Sequence, residues 1–321
     1  MKISPPNDLP KLPPRTPAGH KGTFGTVSIF GGCAVHPHRM IGAPALTALA
    51  ALRTGAGLAK LVLPASLCDT AIALCPSATA RPVLQLESGD TDRSDLAAAM
   101  DAARFDAHVL AVGPGLGTAE GAQHAVLLAL QQAECHLVLD ADGINCMGLL
   151  PDLQDSITAS AILTPHPGEF ERLAAVLQME RAINTDEARQ SAAEEMARRL
   201  GCIIVLKGAG TVVTDGHRCY INASGSSVLA TAGTGDVLTG IIAGLVAQFV
   251  PEPSEPRPWP MPPKPADPTR PWSLFDAACF GVWLHGTAAD VWCAARGATA
   301  GMLAEELADA VPAVIGTNVA R

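Results

Sequence analysis

From Val27 onward, the apolar residues of this chain fall into short runs, most of them continuously apolar rather than alternating. The runs cover Val27–Phe30, Leu58–Leu63, His108–Val112, His136–Leu139, Ala161–Thr164, Cys202–Leu206 and Thr211–Thr214. A strand that is apolar on successive positions is buried on both faces, as strands of a parallel sheet are. Between the runs the spacing changes to that of helices. It is seen at Leu46, Leu49, Ala50 and Arg53, at Ala188, Ala192, Met196 and Leu200, and most clearly at Leu238, Ile241, Ile242 and Leu245. Strands alternating with helices predict βαβ units and an α/β fold: a three-layer α/β/α sandwich with a mostly parallel central sheet.

Two segments break the pattern. Residues 1–20 hold six prolines and predict an arm that lies on the surface or stays disordered. Residues 251–272, PEPSEPRPWPMPPKPADPTRPW, predict an extended insertion between two helical segments. No internal repeat is present, so the expected organisation is one catalytic domain over 21–321 with the arm before it.

Composition narrows the possibilities. Hydrophobic residues make up 48% of the 321 positions and charged residues only 17%, enough for a large core. The net charge of -9 disfavours nucleic acid as a partner. An anionic small ligand remains compatible, because backbone N–H groups at helix starts bind phosphate without net positive charge. The nine cysteines form no CxxC pair, which excludes a zinc ribbon and fits a reducing, cytoplasmic setting. The amino-terminal residues have no apolar signal core. Ile241–Val250 is too short to span a bilayer, and Ile41–Leu63 is interrupted by Arg53, Lys60 and glycines, so no membrane association is expected.

The chemistry gathers where predicted strands end. In open α/β sheets that is the ligand-binding edge. The sequence Thr231-Ala232-Gly233-Thr234-Gly235-Asp236 runs directly into a helix. Its free N–H donors and the helix dipole suit a transferring phosphoryl group, and Asp236 in the first turn is placed to take a proton from an attacking hydroxyl. The plainer alternative is that Asp236 is only a favourable helix-start charge. Gly113-Pro114-Gly115-Leu116-Gly117 is either a tight turn or a place where backbone approaches a ligand. Two prolines hold His166 in Thr164-Pro165-His166-Pro167-Gly168-Glu169, as a ligand-orienting group or a structural one. Glu169 is a candidate for holding Mg²⁺ through water, or else a helix-start glutamate. Lys207-Gly208-Ala209-Gly210-Thr211 either wraps a nucleotide or is a glycine hairpin. Asp140 and Asp142 form a candidate carboxylate pair, one of them structural. There is no GxxxxGK[ST] loop, no nucleophilic triad and no reliable metal-ligand spacing among the histidines.

Taken in order, these stretches resemble the ATP/ADP-dependent NAD(P)H-hydrate dehydratase family of the ribokinase-like superfamily. The resemblance rests on Lys21-Gly22-Thr23-Phe24-Gly25, Gly31-Gly32, Leu52-Arg53-Thr54-Gly55-Ala56-Gly57, the loops at Gly113, Asp140, Thr164 and Lys207, Gly233-Thr234-Gly235-Asp236, and His285-Gly286. It implies a ribokinase-like fold. It also implies repair of hydrated NADH and NADPH: the added hydroxyl is phosphorylated by ADP or ATP, and phosphate elimination restores the ring. Asp236 would be the base. Ala43, Gly115, His166 and Asp236 would contact the hydrated dinucleotide, and Lys207, Gly208, Ala209, Gly210, Thr211 and Gly235 the adenine nucleotide, with Mg²⁺ as cofactor. A homo-oligomer, with a tetramer as one candidate, is expected, as is a separate NAD(P)H-hydrate epimerase in the same pathway, since residues 1–20 are too short to form one. Asn222-Ala223-Ser224-Gly225-Ser226 stands where the family usually has Asn-Pro-Thr-Gly-Asn, and Ala232 replaces a common glycine. The competing reading is a ribokinase-like kinase of a vitamin precursor, such as hydroxymethylpyrimidine or hydroxyethylthiazole. A third is an inactive nucleotide sensor.

Overall fold

The computed structural model describes residues 5–179, 183–253 and 269–318. Among them, nine strands form one sheet: β1 (Thr26–Phe30), β2 (Leu58–Pro64), β3 (Thr79–Val83), β4 (Val109–Val112), β5 (His136–Leu139), β6 (Ala161–Leu163), β7 (Ile203–Leu206), β8 (Val212–Thr214) and β9 (Cys219–Ile221). Their order is β3-β2-β1-β4-β5-β6-β7-β8-β9. β1 to β7 are mutually parallel, and the β7–β8 and β8–β9 pairs are antiparallel.

Side chains within each strand alternate between two cores. Val109 and Ala111 face one side of β4, and Leu110 and Val112 face the other. The first face is covered by α1 (Gly42–Thr54), α8 (Thr234–Phe249), α9 (Leu274–Arg296) and α10 (Ala304–Asn318). The second is covered by α3 (Arg93–Arg104), α4 (Glu120–Gln131), α5 (Asp142–Met147), α6 (Pro167–Val176) and α7 (Asp186–Leu200). A short α2 (Cys68–Leu74) joins β2 to β3. This is the expected three-layer sandwich, and burial on both faces is why the strands read as unbroken apolar runs.

Two strands fall outside those runs. β3 is an edge strand, largely exposed, and includes Arg81 and Pro82; an edge tolerates proline because one of its sides needs no ladder partner. β9 is the opposite edge, with only Tyr220 buried. Both expected proline-rich segments contain core residues. In the arm, Leu9 and Leu12 are buried, and Arg15 stacks on Phe24 and donates to the Gly55 carbonyl. In the insertion, Trp272 is buried between Phe249 and Phe280, with ring centroids 4.9 and 5.1 Å away. The middle of the insertion, 254–268, lies outside the described residues.

Candidate active site

The four chemically unusual loops leave four neighbouring strands. They follow β4, β5, β6 and β7, which stand side by side in the sheet. Between β1 and β4 the strand order reverses, which makes the loops after these two strands the crevice of an open α/β sheet. The two loops interlock there. The Gly32 N–H donates to the Pro114 carbonyl at 3.1 Å, and a Cβ on Gly31 would lie 2.3 Å from the same oxygen.

Asp140, at the end of β5, is 1% exposed and accepts three hydrogen bonds. Thr164 at the end of β6 donates at 2.7 Å, Lys207 at the end of β7 at 2.6 Å, and Thr239 in the second turn of α8 at 2.7 Å. Burial opposes its charge, but Lys207 and the two hydroxyls outweigh it, so its pKa lies below the ordinary carboxylate value. Burial likewise opposes the Lys207 ammonium. Asp140 and Glu169, whose Oε2 is 4.0 Å from Nζ, hold its pKa above the usual value.

The start of α8 is built by Gly233, whose φ of 90° is a left-handed conformation favouring glycine. Thr234 donates its hydroxyl to Leu229 and Thr231 carbonyls, and the buried His285 lies with Nε2 2.9 Å from the Thr234 carbonyl, to which it donates. Burial pushes the His285 pKa down to about 4, so it acts as a neutral donor. From α1, the Thr47 hydroxyl is 3.1 Å from the Asp236 carbonyl. The first turn of α8, which carries Asp236, is therefore held from α1 and α9. Burial, and after it the charge of Asp140, raises the Asp236 carboxyl pKa to about 7. A carboxylate with a pKa near neutral is suited to general-base work.

Most of the expected site residues fall into two groups near the start of α8. In one, a Cβ on Gly115 would lie 3.3 Å from the Ala43 Cβ, and the Ala43 carbonyl accepts from the same Thr47 hydroxyl that reaches Asp236. In the other, a Cβ on Gly235 would lie 3.6 Å from Lys207 Nζ and 4.0 Å from Asp140 Oδ2. Gly208, Ala209, Gly210 and Thr211 continue from Lys207 as the turn between β7 and β8, with Gly208, Ala209 and Gly210 exposed. Gly208 has φ 144°, and a Cβ there would meet Arg189 Nη2 at 2.8 Å. His166 caps α6: its Nδ1 accepts from the Gly168 and Glu169 N–H groups. Glu169 returns the bond, its Oε2 accepting from the His166 N–H at 2.8 Å. The outer face of the His166 ring is half exposed.

Residues with no expected role also bear on the site. Thr164, Thr239 and Thr47 carry its hydrogen bonds, and Arg189 lies beneath the nucleotide-type loop, donating to the Leu206 and Lys207 carbonyls. Of the aspartate pair, Asp142 serves the loop after β4, accepting from the Gly117 N–H at 2.8 Å.

The fold and this edge define a ribokinase-like α/β protein. The fold is shared with a ribokinase-like superfamily protein from Enterococcus faecalis, at a TM-score of 0.72 and 24% identity over 96% of this chain and 93% of that one. The chain belongs to the NAD(P)H-hydrate dehydratase family, whose family model matches residues 27–313. It is 34% identical to an ADP-dependent (S)-NAD(P)H-hydrate dehydratase of Neisseria meningitidis over 92% of this chain and 86% of that protein. It is also similar to the ADP/ATP-dependent NAD(P)H-hydrate dehydratase of Bacillus subtilis co-crystallised with ATP and Mg²⁺. There the TM-score is 0.70 at 29% identity, over 95% of this chain and 94% of that one. Several curated relatives are bifunctional NAD(P)H-hydrate repair enzymes, and the chain spans about half their length, 51% or 52% in the Leishmania proteins.

Proposed function

We propose that this chain dehydrates hydrated NADH or NADPH at the expense of ADP or ATP, with Asp236 as the base. The observation that carries this reading is the position of Asp236. It stands in the first turn of α8, with a pKa raised to about 7, next to Gly235, which borders Lys207, and joined through the Thr47 hydroxyl to Ala43. The hydrated ring would lie against Ala43, Gly115 and His166, and the nucleotide along Lys207, Gly208, Ala209, Gly210, Thr211 and Gly235. As the ring hydroxyl attacks the terminal phosphoryl group, its proton passes to Asp236 and the bond to the departing nucleotide breaks. The helix N-terminus and Lys207 face the charge that develops on the transferring group. Phosphate then leaves with the C–O bonding pair, the neighbouring ring carbon gives up a proton, and the double bond is restored.

Mg²⁺ would arrive with the nucleotide and neutralise phosphate charge. The protein offers it little directly. Both Glu169 oxygens are engaged, one with the His166 N–H and the other 3.3 Å from the His166 ring nitrogen, so contact with Glu169 through water is what the site allows. Among the described residues, no group of three or more His, Cys, Asp or Glu side chains is arranged to hold a metal ion. A companion epimerase, interconverting the two forms of the hydrate, is the activity that a stereospecific dehydratase calls for. The nine thiols are free, which supports work in the reducing cytoplasm.

The test is direct. The protein is incubated with hydrated NADH, Mg²⁺ and ADP or ATP, and the absorbance of the reduced nicotinamide is followed. Recovery of absorbance with release of phosphate supports the reading. Accumulation of a stable phosphomonoester, as a vitamin-precursor kinase would give, overturns it, and so does an absence of turnover with either nucleotide.

A further inference from the structure

We propose that Asp140 is the positioning residue of this site, setting the distance between the nucleotide loop and the first turn of α8 by holding Lys207 and Thr239 at once. The inference rests on the functional reading above and deepens it. Its basis is geometric. Asp140 is a fully buried carboxylate whose two oxygens are divided between the strand ends and α8. Oδ1 takes Lys207 and Thr164, at the ends of β7 and β6, and Oδ2 takes Thr239 of α8. A buried carboxylate is costly unless it is paired and hydrogen-bonded, and here every bond runs to an element that borders the site.

The consequence is a fixed charge order. Lys207 Nζ cannot swing towards Asp236 while Asp140 holds it, and the Thr239 hydroxyl, also 3.1 Å from the Gly235 carbonyl, ties the same carboxylate to the turn that carries Gly235 and Asp236. Nζ stays beside Gly235, where the proposed nucleotide and hydrate meet. The charged groups facing Asp236 are Asp140 from the end of β5, Lys207 from the end of β7, Asp142 from α5 and Glu169 from α6. His285 of α9 borders the same turn as a neutral donor. Asp140 and Lys207 act on Asp236 with opposite signs, the first raising and the second lowering its pKa. Variants of the two residues must therefore shift the ionisation of Asp236 in opposite directions, while Thr239→Val, which loosens the tie to α8 and removes no charge, must lower kcat and leave that ionisation nearly in place.

The experiment compares the full-length protein with Asp140→Asn and Lys207→Met in two readouts. One is the pH dependence of kcat/KM for hydrate repair. The other is a carbon-13 NMR titration of the Asp236 carboxyl, which needs no turnover. Asp140→Asn is expected to lower turnover by at least about tenfold, in line with the cost of a misplaced reacting group. It should move the acid limb and the Asp236 titration to lower pH, and Lys207→Met should move both to higher pH. Unchanged positions in both variants, or shifts of the same sign, overturn the proposal. If Asp140→Asn does not fold, Thr239→Val, which frees α8 from the same carboxylate without removing a charge, carries the test: a fall in kcat of about tenfold with nucleotide affinity kept supports the proposal, and an unchanged kcat overturns it. If the parent protein turns over no hydrate, the functional reading falls, while the NMR titration still decides whether Asp140 sets the charge order.

Discussion

At the start of α8, the carboxylate that must be charged for the proposed chemistry is one that its surroundings hold back from ionising. Its folded pKa, raised from 3.8 to about 7, means that Asp236 keeps its proton more tightly folded than unfolded. That contribution to stability is fully present below the unfolded value of 3.8 and is lost as pH rises through about 7. At about 1.4 kcal/mol per pKa unit, discounted for partial exposure, ionisation costs the fold roughly 2–4 kcal/mol at pH 8. Asp236→Asn should therefore melt higher than the parent at pH 8, with an advantage that shrinks towards pH 4. Its turnover should fall by roughly 10²–10⁴-fold, the usual worth of a positioned acid–base group. Paired thermal melts and steady-state rates check both, and turnover within threefold of the parent ends the role of Asp236 as base. A second prediction concerns Gly208, whose φ of 144° disfavours a side chain and whose missing Cβ faces Arg189. Gly208→Val should weaken ADP or ATP binding more than binding of the hydrated dinucleotide, as separate calorimetric titrations would show; equal losses would mean general damage. At this scale the sequence shows what is local. Gly233 to Asp236 and Thr164 to Glu169 are punctuated by glycine and proline and stand out. The pairing of Thr164, Lys207 and Thr239 with Asp140 does not, because they are 24, 67 and 99 positions away from it.

Between elements, the contact that matters most for the site is α1 against α8. Small residues let their backbones approach closely. A Cβ on Gly240 would lie 2.2 Å from the Thr47 carbonyl oxygen, and one on Gly244 2.9 Å from that of Ala51. The same approach places the Thr47 hydroxyl on the Asp236 carbonyl. Gly240→Val must push the two helices apart, since backbone and not a flexible side-chain end is in the way. Overpacking of this kind costs about 1–3 kcal/mol or more. The melting temperature should fall, and kcat should fall further than nucleotide affinity, because the Thr47–Asp236 contact is lost while the Lys207–Thr211 loop is untouched. An unchanged melt would show that the helices have room to separate. Element types were legible wherever burial was complete: the seven apolar runs all contain strands, with ends shifted by a residue or so, as strand ends often are. β3 and β9 were not legible, because edge strands bury too little to leave an apolar run. α9 was expected only as a helical segment after the insertion, without bounds. Fourteen of its 23 residues are buried, so no polar face marks the helical period.

For the molecule as a whole, the described ends of the proline-rich insertion and the site lie at opposite edges of the sheet. Pro251 offers its carbonyl to Nε2 of His136, the first residue of β5, at 2.7 Å, and the Trp272 N–H donates to the Phe249 carbonyl at the end of α8. Asp140 follows the last residue of the same β5. Four strand residues, at about 3.3 Å each, set the two edges roughly 13 Å apart. Both ends of the insertion are thus anchored on the amino edge, and the chemistry sits on the carboxyl edge. Replacing residues 254–268 with a short Gly/Ser linker, while keeping Pro251, His136 and Trp272, should leave turnover within about threefold, because linkers of that kind are flexible and make few demands on their ends. Trp272 must stay, since it fills the space between Phe249 and Phe280. Rates and melts of the two proteins decide the matter. A large loss of activity with an unchanged melt would show that the segment reaches the carboxyl edge, in its own subunit or another. A fall in both would show that it contributes to the fold beyond its anchored ends.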